Sequence, residues 1–343
     1  MGEIAKGVLG GAWTLLAGWI LPTALNLGIF FFAIAPSLRR AGPIAELWPA
    51  TTAGTMLLLL AGSLLLGLVL SALQNPLYRI LEGYLLWPAA AYTHGCGRNR
   101  RAKADLQDRL MFLRLERRQQ AGRSPLPVAA AADLLRLQAN RRISRAARKD
   151  RRRTDTQRAL LGEKLARFPI ADSQITPTRL GNAIRRFEEY GHNRYRLDSQ
   201  VLWNELTGTA PEQVRRQVDL ARAGADFFVA LLVGHVALIV SAAVALASAH
   251  AHKPALLTTI AVVVGLIPLW YRSAVTATDE WAAAVQALVN LGRKPLAEAF
   301  GLRLPPTLDA ERTMWALVTR LARRPYHERT AELDPYRGTS PQP

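Results

Sequence analysis

The 343-residue chain is half hydrophobic and holds 44 Lys/Arg against 26 Asp/Glu, a formal charge of +18, with a single cysteine. One cysteine, Cys96, excludes an internal disulfide and any zinc site built on several thiolates. A chain this apolar and this charged must segregate the two properties along its length, and four apolar blocks stand apart from the charged stretches.

The first block, residues 8–38, has no ionisable side chain. At about 1.5 Å per residue it exceeds the roughly 30 Å hydrocarbon core, so it predicts a tilted helix or one bent at Pro22. It also exceeds the roughly 7–15-residue core of a signal peptide, which predicts an uncleaved span. The second block, residues 47–73, is again free of charge. Its Ser63, Gly67 and Ser71 recur every fourth residue and predict a helix-packing face of small side chains. The third and fourth blocks, residues 227–249 and 254–271, are separated by "HAHK", which predicts an antiparallel hairpin. Trp13, Trp48 and Trp270 lie near block ends, with Trp87 and Trp281 just beyond, the headgroup position of amphipathic rings. His235 stands alone inside the third block; it reads as a helix-packing hydrogen bonder, with a relay role as the alternative.

Residues 93–220 carry 28 Lys/Arg against 14 Asp/Glu, which is 14 of the chain's 18 surplus positive charges. Basic residues beside spans hold them on the cytoplasmic side. The expectation is a multi-pass inner-membrane protein with both termini and residues 93–220 in the cytoplasm. Arg39 and Arg40, in the first external loop, weigh weakly against it.

Residues 75–92 read as an interfacial helix, and residues 103–120 as a charged helix ended by "AGRSPLP". Pro127 suits the first turn of one or two further helices running to Phe168. Their middle contains "NRRISRAARKDRRR" (140–153), with eight Lys/Arg and one Asp. Such a stretch offers no apolar face, so it is expected to be exposed or mobile. Arg98, Arg100, Arg101, Arg151, Arg152 and Arg153 are candidates for contact with anionic phospholipid. The run has no interleaved aromatics, so no specific nucleic-acid contact is expected.

In "TPTRLGNAIRRFEEYGHNRYRLDSQVLWNEL" (176–206), Thr178 suits an N-cap, followed by the apolar stripe Leu180, Ile184 and Phe187. Gly191 is expected to end that helix and Asp198 to cap a second. A third starts at Pro211 and runs into the third span. "PTRLGN", "EEY", "RYRLD" and "VLW", together with residues 274–305, resemble a family of bacterial multi-pass membrane proteins over roughly the last half of the chain. The resemblance implies a polytopic helical fold and no particular activity. The chain departs from that pattern at Arg196, where the family has glycine, and at Asn204, where it has proline, which disfavours a tight turn at either place. Arg179, Asn182, Arg194, Asp198 and Trp203 are the candidate ligand or partner contacts, beside a purely structural reading as a capped hairpin. Near the C-terminus, an amphipathic helix over 308–324 with Met314, Leu317, Val318 and Leu321 on one side is expected to cover that hairpin.

Five segments follow: 1–92, a transmembrane hairpin with an interfacial helix; 93–175, a basic helical region; 176–225, the motif region; 226–273, a second hairpin; and 274–343, cytoplasmic helices and tail. No phosphate-binding loop, dinucleotide fingerprint or nucleophile elbow occurs. His94 beside Cys96, and His250 beside His252, lack further metal ligands, so no metal or cofactor is expected. The fold class is all-α and polytopic. The expected role is a membrane-anchored interaction, scaffold or regulatory protein, in contact with anionic lipid and with a protein partner or a second copy. A small-solute or ion transporter is the first alternative. An enzyme or ligand site at the cytoplasmic face is the second.

Overall fold

The computed structural model describes residues 11–38, 51–122, 125–151, 154–248, 251–324 and 328–337, and among them it is all-helical, without a strand. Four helices are long and apolar enough to cross a membrane: α1 (Gly11–Leu38), α2 (Thr52–Ala72), α11 (Glu212–Leu246) and α12 (Lys253–Ala299). In hydrocarbon every backbone amide needs a partner within its own segment, and a helix supplies one. The π-helical turn Leu16–Ile20 directly precedes Pro22, whose ring lacks an N–H, and a second one spans Phe30–Ile34. Thr51 caps α2, its hydroxyl accepting from the Gly54 amide at 3.1 Å. Trp48, Arg39 and Arg40 lie outside the described residues.

The chain divides into two compact units, one of residues 1–79 with 187–343 and one of residues 80–186. In the first unit α11 and α12 pair along their length. Helix α1 runs parallel to α11. Gly18 lies against Ala223 and Asp226, Asn26 against Gly234, and Ser37 bonds to Ser248 and His252 at the far end. There Ile34, Leu238, Ala242, Ala245, Leu256 and Val263 form a core. Helix α2 packs on α1 where Gly67 meets Ile20; a Cβ at 67 would lie 3.0 Å from the Ile20 Cα. Ser63 is buried on the same face, bonded to the Leu59 carbonyl, and Ser71 is half-buried.

Away from the apolar windows, α12 carries a second core. Helices α9 (Tyr190–Tyr195), α10 (Trp203–Thr209) and α13 (Leu308–Arg323) pack there, burying Leu197, Leu202, Leu206, Leu288, Leu296 and Trp315. Leu206 seats on Gly292, where a Cβ would lie 2.9 Å from its methyl. Met314, Leu317 and Val318 are buried as expected from their spacing, but Leu321 is exposed. It falls in the last turn of α13, past the contact with α9.

The second unit is a helical bundle of α4 (Ala89–Gln120), α5 (Val128–Ala139), α6 (Arg141–Arg151) and α7 (Thr154–Ala166). The interfacial helix expected over 75–92 is broken. Helix α3 (Gln74–Glu82) stops at Gly83, whose φ is +96°, Leu86 follows at φ +62°, and α4 starts afresh at Ala89. The stretch after Pro127 is three helices, not one or two. Asn140 divides the first pair, its side-chain oxygen accepting from the Arg142 and Ile143 amides.

The arginine run is no bare rod. Ile143, Ala147 and Asp150, spaced four and three apart, lie on one side of α6 and are all buried. Ile143 and Ala147 join Phe112, Leu115, Leu134 and Leu137 in one core. Burying Ile143 alone contributes about 1.5–3 kcal/mol. Asp150 takes a two-pronged bond from Arg109 at 2.9 and 2.7 Å and a third from Gln157 at 3.1 Å. The expectation of an exposed or mobile run fails because two apolar residues and one paired carboxylate are enough to seat a short helix. Arg141, Arg142, Arg145 and Lys149 are the solvent face of that helix.

Candidate functional site

The threonine-rich motif is a wedge inside the second unit. Pro177 sits between two glycines: a Cβ at Gly83 would lie 2.2 Å from its ring, and one at Gly95 2.6 Å. Thr178 caps α8 (Arg179–Glu188), accepting from the Gly181 amide at 2.9 Å and donating to the Glu82 carbonyl at 3.2 Å. Asn182 staples the loop. Its oxygen accepts from the Thr176 amide at 2.9 Å, and its NH₂ donates to the Thr176 and Thr178 carbonyls at 3.0 and 2.6 Å. Buried, with donors and acceptor engaged, it holds the loop shut instead of facing a ligand. From α4, Asn99 reaches the Thr176 carbonyl, Cys96 the Ile175 carbonyl, and Lys103 both the Ile170 carbonyl and Asp172 at 2.7 Å. Cys96 and Lys103 are therefore buried structural residues, while His94 is exposed. Arg179 is exposed at the start of α8.

Arg194, Asp198 and Trp203 belong to the first unit. The Arg194 guanidinium lies 6.0 and 5.7 Å from the rings of Tyr190 and Tyr195, whose phenols hold it still more firmly protonated. Both phenols donate to the Asn290 side-chain oxygen, at 3.1 and 3.0 Å. Asp198 accepts from the Gln200 and Val201 amides and pairs with Arg323 of α13. Arg293 stacks 4.5 Å over Tyr195 and pairs with the buried Glu311, which also accepts from Trp315. Trp203 is half-buried at the start of α10. Gly191 does not end a helix. It lies within α9, where a Cβ would meet the Leu197 carbonyl at 2.7 Å. The left-handed position is Arg196, φ +62°.

Within the spans, His235 and Asn26 satisfy each other. His235 shares a 2.9 Å bond between Nδ1 and Asn26 Oδ1, and Trp270 donates to its Nε2 at 3.1 Å. That assigns a neutral ring with the proton on Nδ1 and leaves neither ring nitrogen without a partner. Asn26 donates in turn to the Pro22 carbonyl, and Gly234 makes room for it. Sequence reasoning missed a second node at the start of the third block. Buried Asp226 accepts from Tyr78 at 2.8 Å, lies beside Trp19, and is 3.9 Å from Arg222. Arg222 reaches Gln74 at 3.0 Å and stands over Trp281. The available signal was one carboxylate abutting a charge-free block in "ARAGADFFVALL".

The remaining arrangement is open and basic. Between α4 and α7 a groove of about 780 Å³ has Leu110, Leu115 and Leu165 along its floor, and Arg114, Arg117, Arg118 and Arg158 also line it. Its α4 residues recur at helical spacing, so the apolar stripe of that helix runs on past the cover α7 provides. Arg98, Arg100 and Arg101 are exposed on the earlier turns of α4, Arg100 touching the Asp172 carbonyl. Arg151 ends α6; its side chain, with Arg152 and Arg153, lies outside the described residues. His250 lies outside them too, and among the described residues no three His, Cys, Asp or Glu side chains cluster to hold a metal. No family model, curated protein or solved structure matches the chain.

Proposed function

We propose that this chain is a membrane-anchored interaction protein. Its four apolar helices fix it in the cell's inner membrane, with its termini and basic unit in the cytoplasm. Its partner is a protein bearing an acidic, amphipathic helical segment, and the arginine-lined groove of α4 and α7 is the observation that supports this. An apolar floor with guanidinium groups above it suits a helix with leucine-type residues on one face and carboxylates on its flanks. A second copy, itself at +18, is a poor fit for a basic groove. The orientation rests on the basic surplus of residues 93–220 beside the spans. The parallel course of α1 and α11 supports a single crossing by α2 between them, since helices separated by one crossing enter from the same side.

The test uses the full chain in lipid nanodiscs and a fluorescent designed helix with leucine on one face and glutamate on the other. Saturable binding is expected, weakened more than tenfold, about 1.4 kcal/mol, by Arg114→Glu with Arg118→Glu, and weakened also by added salt. Binding that ignores the charge reversal, or tighter binding of an unstructured RNA oligomer than of the peptide, would overturn the proposal.

A further inference from the structure

Residues 84–94, "YLLWPAAAYTH", are exposed one after another. None of them is an acid, a lysine or an arginine. A helix packed on a core alternates buried and exposed positions at its own period. Here α4 is exposed on every side from Ala89 to His94, and only at Gly95 and Cys96 does it go under. The start of the helix and the loop leading into it therefore stand clear of the bundle.

The loop has a built shape. Gly83 turns the chain at φ +96°, and Leu86 sits at φ +62°, a conformation that leucine adopts reluctantly. The Trp87 indole donates to the Ile80 carbonyl at 2.9 Å and ties the turn closed. The result holds Leu86 79% exposed, with its chain neighbours Tyr84, Leu85 and Trp87 exposed too, and Tyr92 exposed on the first turn of α4. Arg98 and Arg101, exposed on the following turns of α4, come next. A leucine tip, then tyrosine and tryptophan, then arginine is the order of environments met on leaving a bilayer: acyl chains, headgroup boundary, phosphate. In water the same tip is a contiguous apolar patch with an aggregation liability.

Chain length supports the bilayer as occupant. Helix α2 ends at Ala72, and α3 takes up most of the path from there to Leu86. With helical residues rising 1.5 Å and the rest at most about 3.5 Å each, Leu86 lies within about 30 Å of the end of α2. The membrane surface that α2 would leave is within that reach.

We infer that residues 84–92 are a membrane-inserted tip: Leu85 and Leu86 enter the leaflet where α2 ends, Tyr84, Trp87 and Tyr92 lie at headgroup depth, and Arg98 and Arg101 engage lipid phosphate. This requires only that α2 crosses the membrane, and it stands or falls separately from the groove.

The experiment takes the full chain in nanodiscs of phosphatidylcholine and phosphatidylglycerol, on a Cys96→Ser background that keeps a donor toward the Ile175 carbonyl. An environment-sensitive NBD dye is attached at Leu86→Cys, at Tyr84→Cys, or, as control, at Val128→Cys in the same unit, where the native residue is 88% exposed. Dyes at 84 and 86 should be quenched by lipids carrying a shallow nitroxide and protected several-fold from aqueous iodide, whereas the dye at 128 should show the reverse. Leu86→Glu, at a side chain with little to lose in packing, should abolish the lipid quenching at 84. Iodide quenching at 86 as free as at 128 would overturn the inference by leaving the tip in water. Protection from both quenchers would overturn it by placing a partner protein or a second copy over the tip.

Discussion

Arg196 closes α9 in the left-handed region, its amide bonded to the His192 carbonyl at 2.9 Å. Glycine is the residue suited to that place, because a Cβ there costs roughly 1–2 kcal/mol. Arginine is held by its surroundings: Leu197 is buried behind it, and Arg312 grips the Asn193 and Arg194 carbonyls at 2.9 and 2.6 Å. The tight turn that arginine disfavours thus forms all the same. Arg196→Gly should therefore stabilise the first unit by a few tenths to about 1 kcal/mol, less than the full strain because glycine also frees the unfolded chain. Arg196→Val should destabilise it by about 1 kcal/mol or more, since β-branching tolerates that region worst. Melting temperatures in one detergent, read for both variants, check the pair. A fall in both would mean that the Arg196 side chain, which reaches His192, matters more than its backbone.

At the scale of elements, α6 shows how a charged segment is seated. Asp150 is almost wholly buried and bound by Arg109, whose side chain is one-quarter exposed. Removing only the carboxylate leaves a half-buried cation facing apolar neighbours; removing both partners does not. Asp150→Leu is expected to cost about 2–3 kcal/mol, after allowance for the solvent that reaches Arg109, while Arg109→Met with Asp150→Leu should recover most of the loss. Hydrogen exchange across 141–151 measures this directly: α6 amides should open in the single variant and regain protection in the double. Full protection kept in both variants would show that Ile143 and Ala147 alone seat the helix. The basis for this was hidden in the sequence, because Ile143 and Ala147 stand among arginines and the carboxylate that completes their face finds its partner 41 residues away. By contrast the α13 stripe was legible, since Met314, Leu317 and Val318 are an apolar triplet at helical spacing with few charges between them.

For the whole molecule, the four long helices were readable because charge-free blocks of that length have one comfortable environment. The cap at Thr178 was readable from local chemistry, as it serves an amide three residues ahead, whereas Asp198 serves the Gln200 and Val201 amides of a turn and does not cap α10, whose N-cap is Leu202 with no side-chain bond. What pairs across distance was not. Asn182 suggests a ligand contact until Thr176 and Thr178 are seen to take its amide, and Asp226 gains its meaning only from Tyr78 and Trp19, which come from two other helices. The orientation makes a prediction at this scale. Buried Cys96 should resist a membrane-impermeant maleimide in intact and permeabilised cells alike, whereas Val128→Cys should react after permeabilisation only. Reaction of residue 128 in intact cells would invert the topology and put 14 surplus positive charges outside.

Helix α12 is a single rod of 47 residues, with Pro268 inside its apolar part and Asn290, Arg293 and Leu296 far along the other arm. From Pro268 to Ala299 the arm is about 45 Å at 1.5 Å per residue. Proline removes one backbone bond at that point, the usual place for a helix to flex. A swing of about 10° there carries Ala299 through about 8 Å by the same 1.5 Å rise. Because Arg293 grips Glu311 and Leu206 seats on Gly292, α10 and α13 would ride on that arm, and a small change of angle among the spans would reach the far end as a displacement of several ångströms.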